Sequence, residues 1–132
     1  YLYKLNLYTM DVLIMLRNNI YANYIGYHIK KLANNVMIVN NNNEIVQLLT
    51  QKHWDIAIIG IHVGSQNALE VINVYNQYYR EQRKNTYLKT KFYILSAVKE
   101  KIYGIDQLGI EGYYAMPQNT HKLLAEIIKD DL

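Results

Sequence analysis

Arg17, Gly60, His62, Ser96 and the Met116-Pro117 pair are the positions from which chemistry could be built in this 132-residue chain. Most of them stand where an apolar run stops. Arg17 closes the run D-V-L-I-M-L at Asp11 to Leu16, and a guanidinium there offers a planar donor fork to an anion. The ordinary alternative is a salt bridge or a solvated strand end. His62 follows the β-branched run Asp55 to Ile61 and could touch a ligand or titrate near neutral pH, although a satisfied loop histidine is the plainer reading. Ser96 ends the run Phe92 to Leu95 without a His/Asp pair readable at the right place, so a serine nucleophile is poorly supported. His28, His53 and His121 are dispersed and give no H-x-x-x-H spacing, which argues against zinc. The absence of cysteine removes disulfides, thiolate metal sites and a cysteine nucleophile. Gly60 and Gly64 do not make a G-x-G-x-x-G fingerprint, and no Walker motif is present.

The elements that must position these residues alternate regularly. Asp11 to Leu16 reads as a strand, and the asparagines after Arg17 can cap the next helix. Over Ile20 to Ala33 the apolar residues Ile20, Tyr24, Ile25, His28, Ile29 and Leu32 suggest a buried helical stripe. Val36 to Val39 is a second strand, and Asn40 to Asn43 is a turn and cap cluster. Ile45, Val46, Leu48 and Leu49 line a short helix that runs to about His53. Asp55 to Ile61 reads as a fully buried central strand. Ser65 to Arg83 is a helix with Ala68, Leu69, Val71, Ile72, Tyr75 and Tyr79 inward. Lys84 to Thr90 is a polar connection. Phe92 to Leu95 is the fourth strand, Lys99 to Leu108 a weak helix ended near Gly109, and Gly112 to Ala115 the fifth strand. Thr120 opens a last helix on Leu123, Leu124, Ile127 and Ile128. Strict βα alternation with short connections means a parallel sheet with helices on both faces, and so an α/β fold.

The totals fit one domain large enough for a real core, at 51% hydrophobic and 19% charged residues. The longest apolar run, Val12 to Leu16, is too short to span a bilayer. No secretory leader pattern is present, and a cytoplasmic location is expected. A net charge of +3 is too mild to argue for nucleic acid by itself. The 14 tyrosines, with abundant Asn and Ile, are better accounted for by an AT-rich coding sequence than by function. Residues 1–10 do not fit the alternation and read as an extra segment or linker before a domain over 11–132. A longer parent protein with other domains is compatible with the missing initiator Met.

From Asp11 to Asp130 the spacing resembles that of the receiver domain, the CheY-like module of two-component response regulators. The distances from the Arg17-Asn18 corner to the second strand, to Gly60, to Ser96 and to Met116-Pro117 match. Asp55-Ile56-Ala57-Ile58-Ile59-Gly60 carries the acid, four apolar residues and acceptor position of the family's third strand, and Ala68-Leu69-Glu70 stands where the family's G-L-E opens the third helix. The resemblance implies a flavodoxin-like, CheY-like three-layer sandwich with strand order 2-1-3-4-5. It also implies a phosphorelay pocket: an acceptor Asp, an acid pair for Mg²⁺, a Ser/Thr, and a Lys before a cis-proline. In this sequence the acceptor position is Gly60, the acid pair is Arg17 and Asn18 (or Asn19 in a register slipped by one), and the lysine is Met116. Ser96 and Pro117 alone are retained, and Met116-Pro117 is expected to keep the cis peptide.

Without a nucleophile no aspartyl-phosphate forms, and without carboxylates no hard-cation site forms. A cation at position 17 would repel Mg²⁺ besides. The expectation is an atypical, non-enzymatic pseudo-receiver with no cofactor and no metal, working through a protein partner or a homodimer. In receivers the fourth-helix and fifth-strand face carries partner contacts, and here Tyr103, Ile105, Tyr113 and Tyr114 are the residues expected on or near it. A second expectation is a small-ligand sensor that uses the vacated pocket through Arg17, His62 and Ser96. A third and weaker one is nucleic-acid binding by Arg80, Arg83, Lys84, Lys89 and Lys91 interleaved with Tyr78, Tyr79 and Tyr87. A solvated helix end explains that cluster as well.

Overall fold

The computed structural model describes residues 10–31, 33, 35–61, 67–82, 89–97 and 104–131. Within them five strands alternate with helices: β1 (Asp11–Met15), α1 (Asn19–Lys30), β2 (Asn35–Val39), α2 (Asn42–Gln51), β3 (Ile56–Ile61), α3 (Asn67–Glu81), β4 (Lys91–Ser96), a 3-10 turn (Ile105–Leu108), β5 (Gly112–Ala115) and α4 (Thr120–Asp131). The sheet is wholly parallel with order β2-β1-β3-β4-β5. This is the flavodoxin-like, CheY-like fold expected from the sequence. No described helix is long and apolar enough to cross a membrane.

The alternation of side chains along each strand builds two cores. Leu13, Met15, Ala57, Ile59, Ile61, Phe92 and Ile94 face α2, α3 and the 3-10 turn. Val12, Ile14, Ile56, Ile58, Tyr93 and Leu95 face α1 and α4. Every residue of β3 is buried, because β3 is flanked by strands and covered on both faces. Met10, which by sequence belongs to the leading segment, packs into the second core.

Three bonds lock the amino ends of β3 and β4. Thr90 donates its hydroxyl to the Trp54 carbonyl at 2.6 Å, the Tyr75 hydroxyl accepts from the Thr90 N–H at 2.8 Å, and Trp54 Nε1 donates to the Leu48 carbonyl at 2.9 Å. Each satisfies a group whose burial without a partner would cost roughly 1–3 kcal/mol. The Asp55 carboxylate is part of the same edge. It accepts from the Asp11 N–H at 2.8 Å, pinning the start of β1, and meets His53 Nε2 at 3.2 Å.

The buried stripe of α1 differs from the expected one. Ala22, Ile25, Gly26 and Ile29 face the sheet, whereas Ile20 and Tyr24 are exposed and His28 is half-buried. The cause is close packing. An ideal Cβ on Gly26 would stand 3.3 Å from Ile38 Cδ1, so the helix seats its small residues on β2 and turns its bulky ones outward. The weak helix expected over Lys99 to Leu108 is described only from Ile105, as a 3-10 turn held between Gly104 (φ 88°) and Gly109 (φ 75°). Left-handed backbone at both ends suits glycine.

Candidate functional site

The carboxyl edge of the sheet gathers most of the singled-out residues. Ile61 pairs with Ser96 and Ser96 with Ala115, while Gly60 lies one step back opposite Leu95. The pairing runs past the strand ends: the Ala97 N–H donates to the Ile61 carbonyl at 2.9 Å, and the Met116 N–H donates to the Ser96 carbonyl at 2.7 Å. Gly60, Ser96 and Met116 are therefore neighbours on one rim. Their side-chain positions diverge, however. Met116 packs on the α1–α4 core, and alternation puts Gly60 on that side, whereas Ser96 falls on the α2–α3 side. The Met116-Pro117 bond is cis, as expected.

Each polar member of the rim has a definite setting. Arg17 is exposed just past β1. Asn18 caps α1, its side-chain oxygen accepting from the Tyr21 N–H at 3.1 Å. Asn18 is thus occupied by a structural task that any residue of its kind at this corner performs. Ser96 is buried. His62 lies outside the described residues, as does Tyr103. From Leu16 to Asn19, at Gly60, Ile61, Ser96 and Ala97, and from Met116 to Asn119, no carboxylate stands at this rim. Among the described residues no cluster of three His, Cys, Asp or Glu could hold a metal ion. Among the described residues, the rim offers one exposed guanidinium, a buried hydroxyl and backbone groups. That set can engage an anion; it has no carboxylate to act as nucleophile or to ligate a hard cation.

Of the residues expected on the partner face, the three that the structure describes do not share one surface. Ile105 is buried in the α2–α3 core, 1% exposed, and is unavailable to a partner. Tyr113 and Tyr114 are adjacent on β5, so they point to opposite sides, Tyr113 against the α2–α3 core and Tyr114 against the α1–α4 core. Both are half-buried packing residues. In the basic and aromatic cluster, Tyr79 stacks on Tyr75 with ring centroids 6.0 Å apart and borders the core, which leaves Arg80 and Lys89 as exposed cations, with Arg83, Lys84 and Tyr87 outside the described residues.

Among the described residues the large exposed apolar side chains lie elsewhere, with Ile20, Tyr24 and Tyr27 on α1, Met37 on β2 and Val74 on α3. Sequence reasoning assigned Ile20 and Tyr24 to the core because it weighed bulk. The signal that could have found them is the i, i+3, i+4, i+7 set Ala22, Ile25, Gly26 and Ile29, in which small residues mark the close-packed side.

No known family model and no curated protein matches the sequence. Solved structures do match. The chain is similar to a CheY-like response regulator receiver domain from Methylobacillus flagellatus, with a TM-score of 0.70 at 14% identity, covering 94% of this chain and 99% of that one. It is similar to an orphan response regulator of H. pylori, with a TM-score of 0.71 at 16% identity over 93% and 96% of the two chains. A response regulator from Thermotoga maritima aligns with a TM-score of 0.65 at 22% identity over 92% and 96%. At these identities the likeness establishes the receiver fold.

Proposed function

We propose that the chain is a receiver-like signalling module that acts by protein contact and does not accept phosphate. The observation that carries this reading is Gly60. It occupies the end of the central strand where the receiver resemblance puts the acceptor, and it has no side chain. The flanking positions agree: a cation and a helix cap stand in place of an acid pair, and an apolar Met116 in place of the lysine. The reading places the module in the cytoplasm with other signalling proteins. The test is incubation with acetyl phosphate, or with beryllofluoride, in the presence of Mg²⁺. Intact mass is expected to stay unchanged, and amide NMR shifts near Gly60 and Ser96 to stay within the effect of salt alone. Stoichiometric uptake at this rim would overturn the reading.

A second reading, a small-anion sensor, is favoured by the exposure of Arg17 at the rim. A thermal-shift screen of anionic metabolites separates the two. The sensor reading requires a compound that raises the midpoint of the wild type and fails to raise that of Arg17→Ala.

A further inference from the structure

The outward side of α1 is an apolar ridge. Ile20 is 83% exposed, Tyr24 51% and Tyr27 64%. Their spacing of four and then three residues puts them on one stripe, opposite the stripe that faces the sheet. The ridge is ordered by its own contacts. The Tyr24 ring stacks on Tyr21 at 6.3 Å and meets His28 edge-on at 4.7 Å, and Lys31 Nζ lies 4.9 Å from the Tyr27 ring centroid. Helix α1 contains no carboxylate, and Arg17, Lys30 and Lys31 border it at both ends. The ridge is therefore apolar and cationic.

The opposite face of the sandwich carries an apolar groove of complementary charge. Between α2 and α3 runs a groove of about 640 Å³ whose apolar residues are Val46, Val71 and Val74, with Asn43, Gln47, Asn73 and Glu70 around them. Val74 is 45% exposed. Glu70 is exposed on the groove's lining, the exposed Glu44 follows the lining Asn43 on α2, α2 has no Lys or Arg, and α3 has none before Arg80. An apolar trough edged by carboxylates suits an apolar helix flanked by cations. One chain cannot bring the two together, because α1 and the α2–α3 pair lie on opposite sides of its sheet.

We propose that the α1 ridge of one copy of this chain docks in the α2–α3 groove of the next copy, giving head-to-tail assembly. The two surfaces differ, so the contact is heterologous, and each added copy presents a fresh ridge or groove. Symmetric ridge-to-ridge pairing is disfavoured by the same charges, since it would set Lys30, Lys31 and Arg17 against their own counterparts. This inference is independent of whether anything binds at the carboxyl rim of the sheet.

Sedimentation velocity on the wild-type chain tests it. The weight-average mass is expected to grow past the dimer as concentration rises, and to fall back as salt is added. Tyr24→Asp spoils the ridge and Val74→Asp spoils the groove. Both positions are exposed, so circular dichroism and the melting midpoint should match wild type. Each variant alone is expected to be monomeric. Mixed one to one, they should give a species of twice the monomer mass that grows no further, because only the Val74→Asp ridge and the Tyr24→Asp groove remain intact. The charge pair Lys31→Glu and Glu70→Lys offers the same logic with smaller changes: each weakens assembly alone, and the double variant recovers it. A wild-type chain that stays monomeric at every concentration, a mass that stops at two, or variants that fail to complement each other would each overturn the proposal.

Discussion

Tyr21 sits where the buried and exposed sides of α1 meet. Its hydroxyl is buried and has no hydrogen-bond partner among the described residues. Burial, with the neighbouring Tyr24 adding to it, raises its pKa above the ordinary tyrosine value of 10.0. The folded state therefore holds this proton more tightly than the unfolded chain does. The stabilising contribution is complete below pH 10 and is lost as pH rises through the folded-state pKa. In Tyr21→Phe this loss should disappear, so urea midpoints of variant and wild type should converge toward neutral pH and separate above the tyrosine range, with the variant more stable there. At neutral pH the variant should match or slightly exceed wild type, since it removes an unpaired buried hydroxyl. Asn18 makes a second test. Asn18→Ala should cost about 1 kcal/mol in chemical denaturation through loss of the α1 cap, whereas Asn18→Asp should keep the cap and favour the positive end of the helix. A large loss in Asn18→Asp would mean that Asn18 serves something other than α1.

At the scale of elements, α1 is the most informative. Gly26→Ala should raise stability by about 0.5 kcal/mol, because helix propensity favours Ala by up to ~1 kcal/mol and the new methyl must displace only the Cδ1 tip of Ile38 on an edge strand. A measured loss would show that β2 and α1 are packed too tightly to yield. The 3-10 turn gives a contrasting case. Ile105→Ala removes a fully buried side chain between α3 and β4, and it should cost about 3 kcal/mol in the urea midpoint.

These two elements also show how far the sequence reaches. The five strands were legible because β-branched runs such as Ile56 to Ile61 stop at turn residues, and their alternation with helices fixed a parallel sheet. The strand order came only through the receiver resemblance. The face of α1 was not legible from bulk, because a helix can seat Ala22 and Gly26 against a sheet and leave Ile20 in water. Ile105 reads as a surface candidate until its turn is seen folding back between two glycines into the core. The rim was legible as a set of positions, since Gly60 stands one residue before the end of β3, Ser96 ends β4 and Met116 follows β5. Its division between two sides of the sheet was not, because that depends on register.

The whole molecule has one tryptophan, and it is a useful one. Trp54 is 1% exposed and joins α2, β3 and the Thr90 relay, with Lys52 Nζ 4.3 Å from its ring centroid. Its fluorescence should report the loss of both cores together. Urea unfolding followed by Trp54 emission and by far-ultraviolet circular dichroism should give one coincident transition. Magnesium at millimolar concentration should leave that midpoint where it is, because a cation that binds the folded state would have to raise it, and the described residues of the rim include no carboxylate to hold one. A rise that depends on Mg²⁺ and not on NaCl at equal ionic strength would contradict this.

The sheet order also governs how a growing chain could fold as it leaves the ribosome. Once Gln51 has emerged, β1 and β2 can pair, yet the other edge of β1 has nothing to bind, and Leu13 and Ile14 are covered on too few sides. That edge belongs to β3, whose Asp55 ties back to Asp11 through both a backbone and a side-chain bond. Once β3 is made, β1 is paired on both edges, but β3 then presents an open edge of its own that waits for β4. The nascent chain thus carries the unpaired edge of a central strand until Ser96 has been made, and over that span it is open to chaperones and to wrong partners.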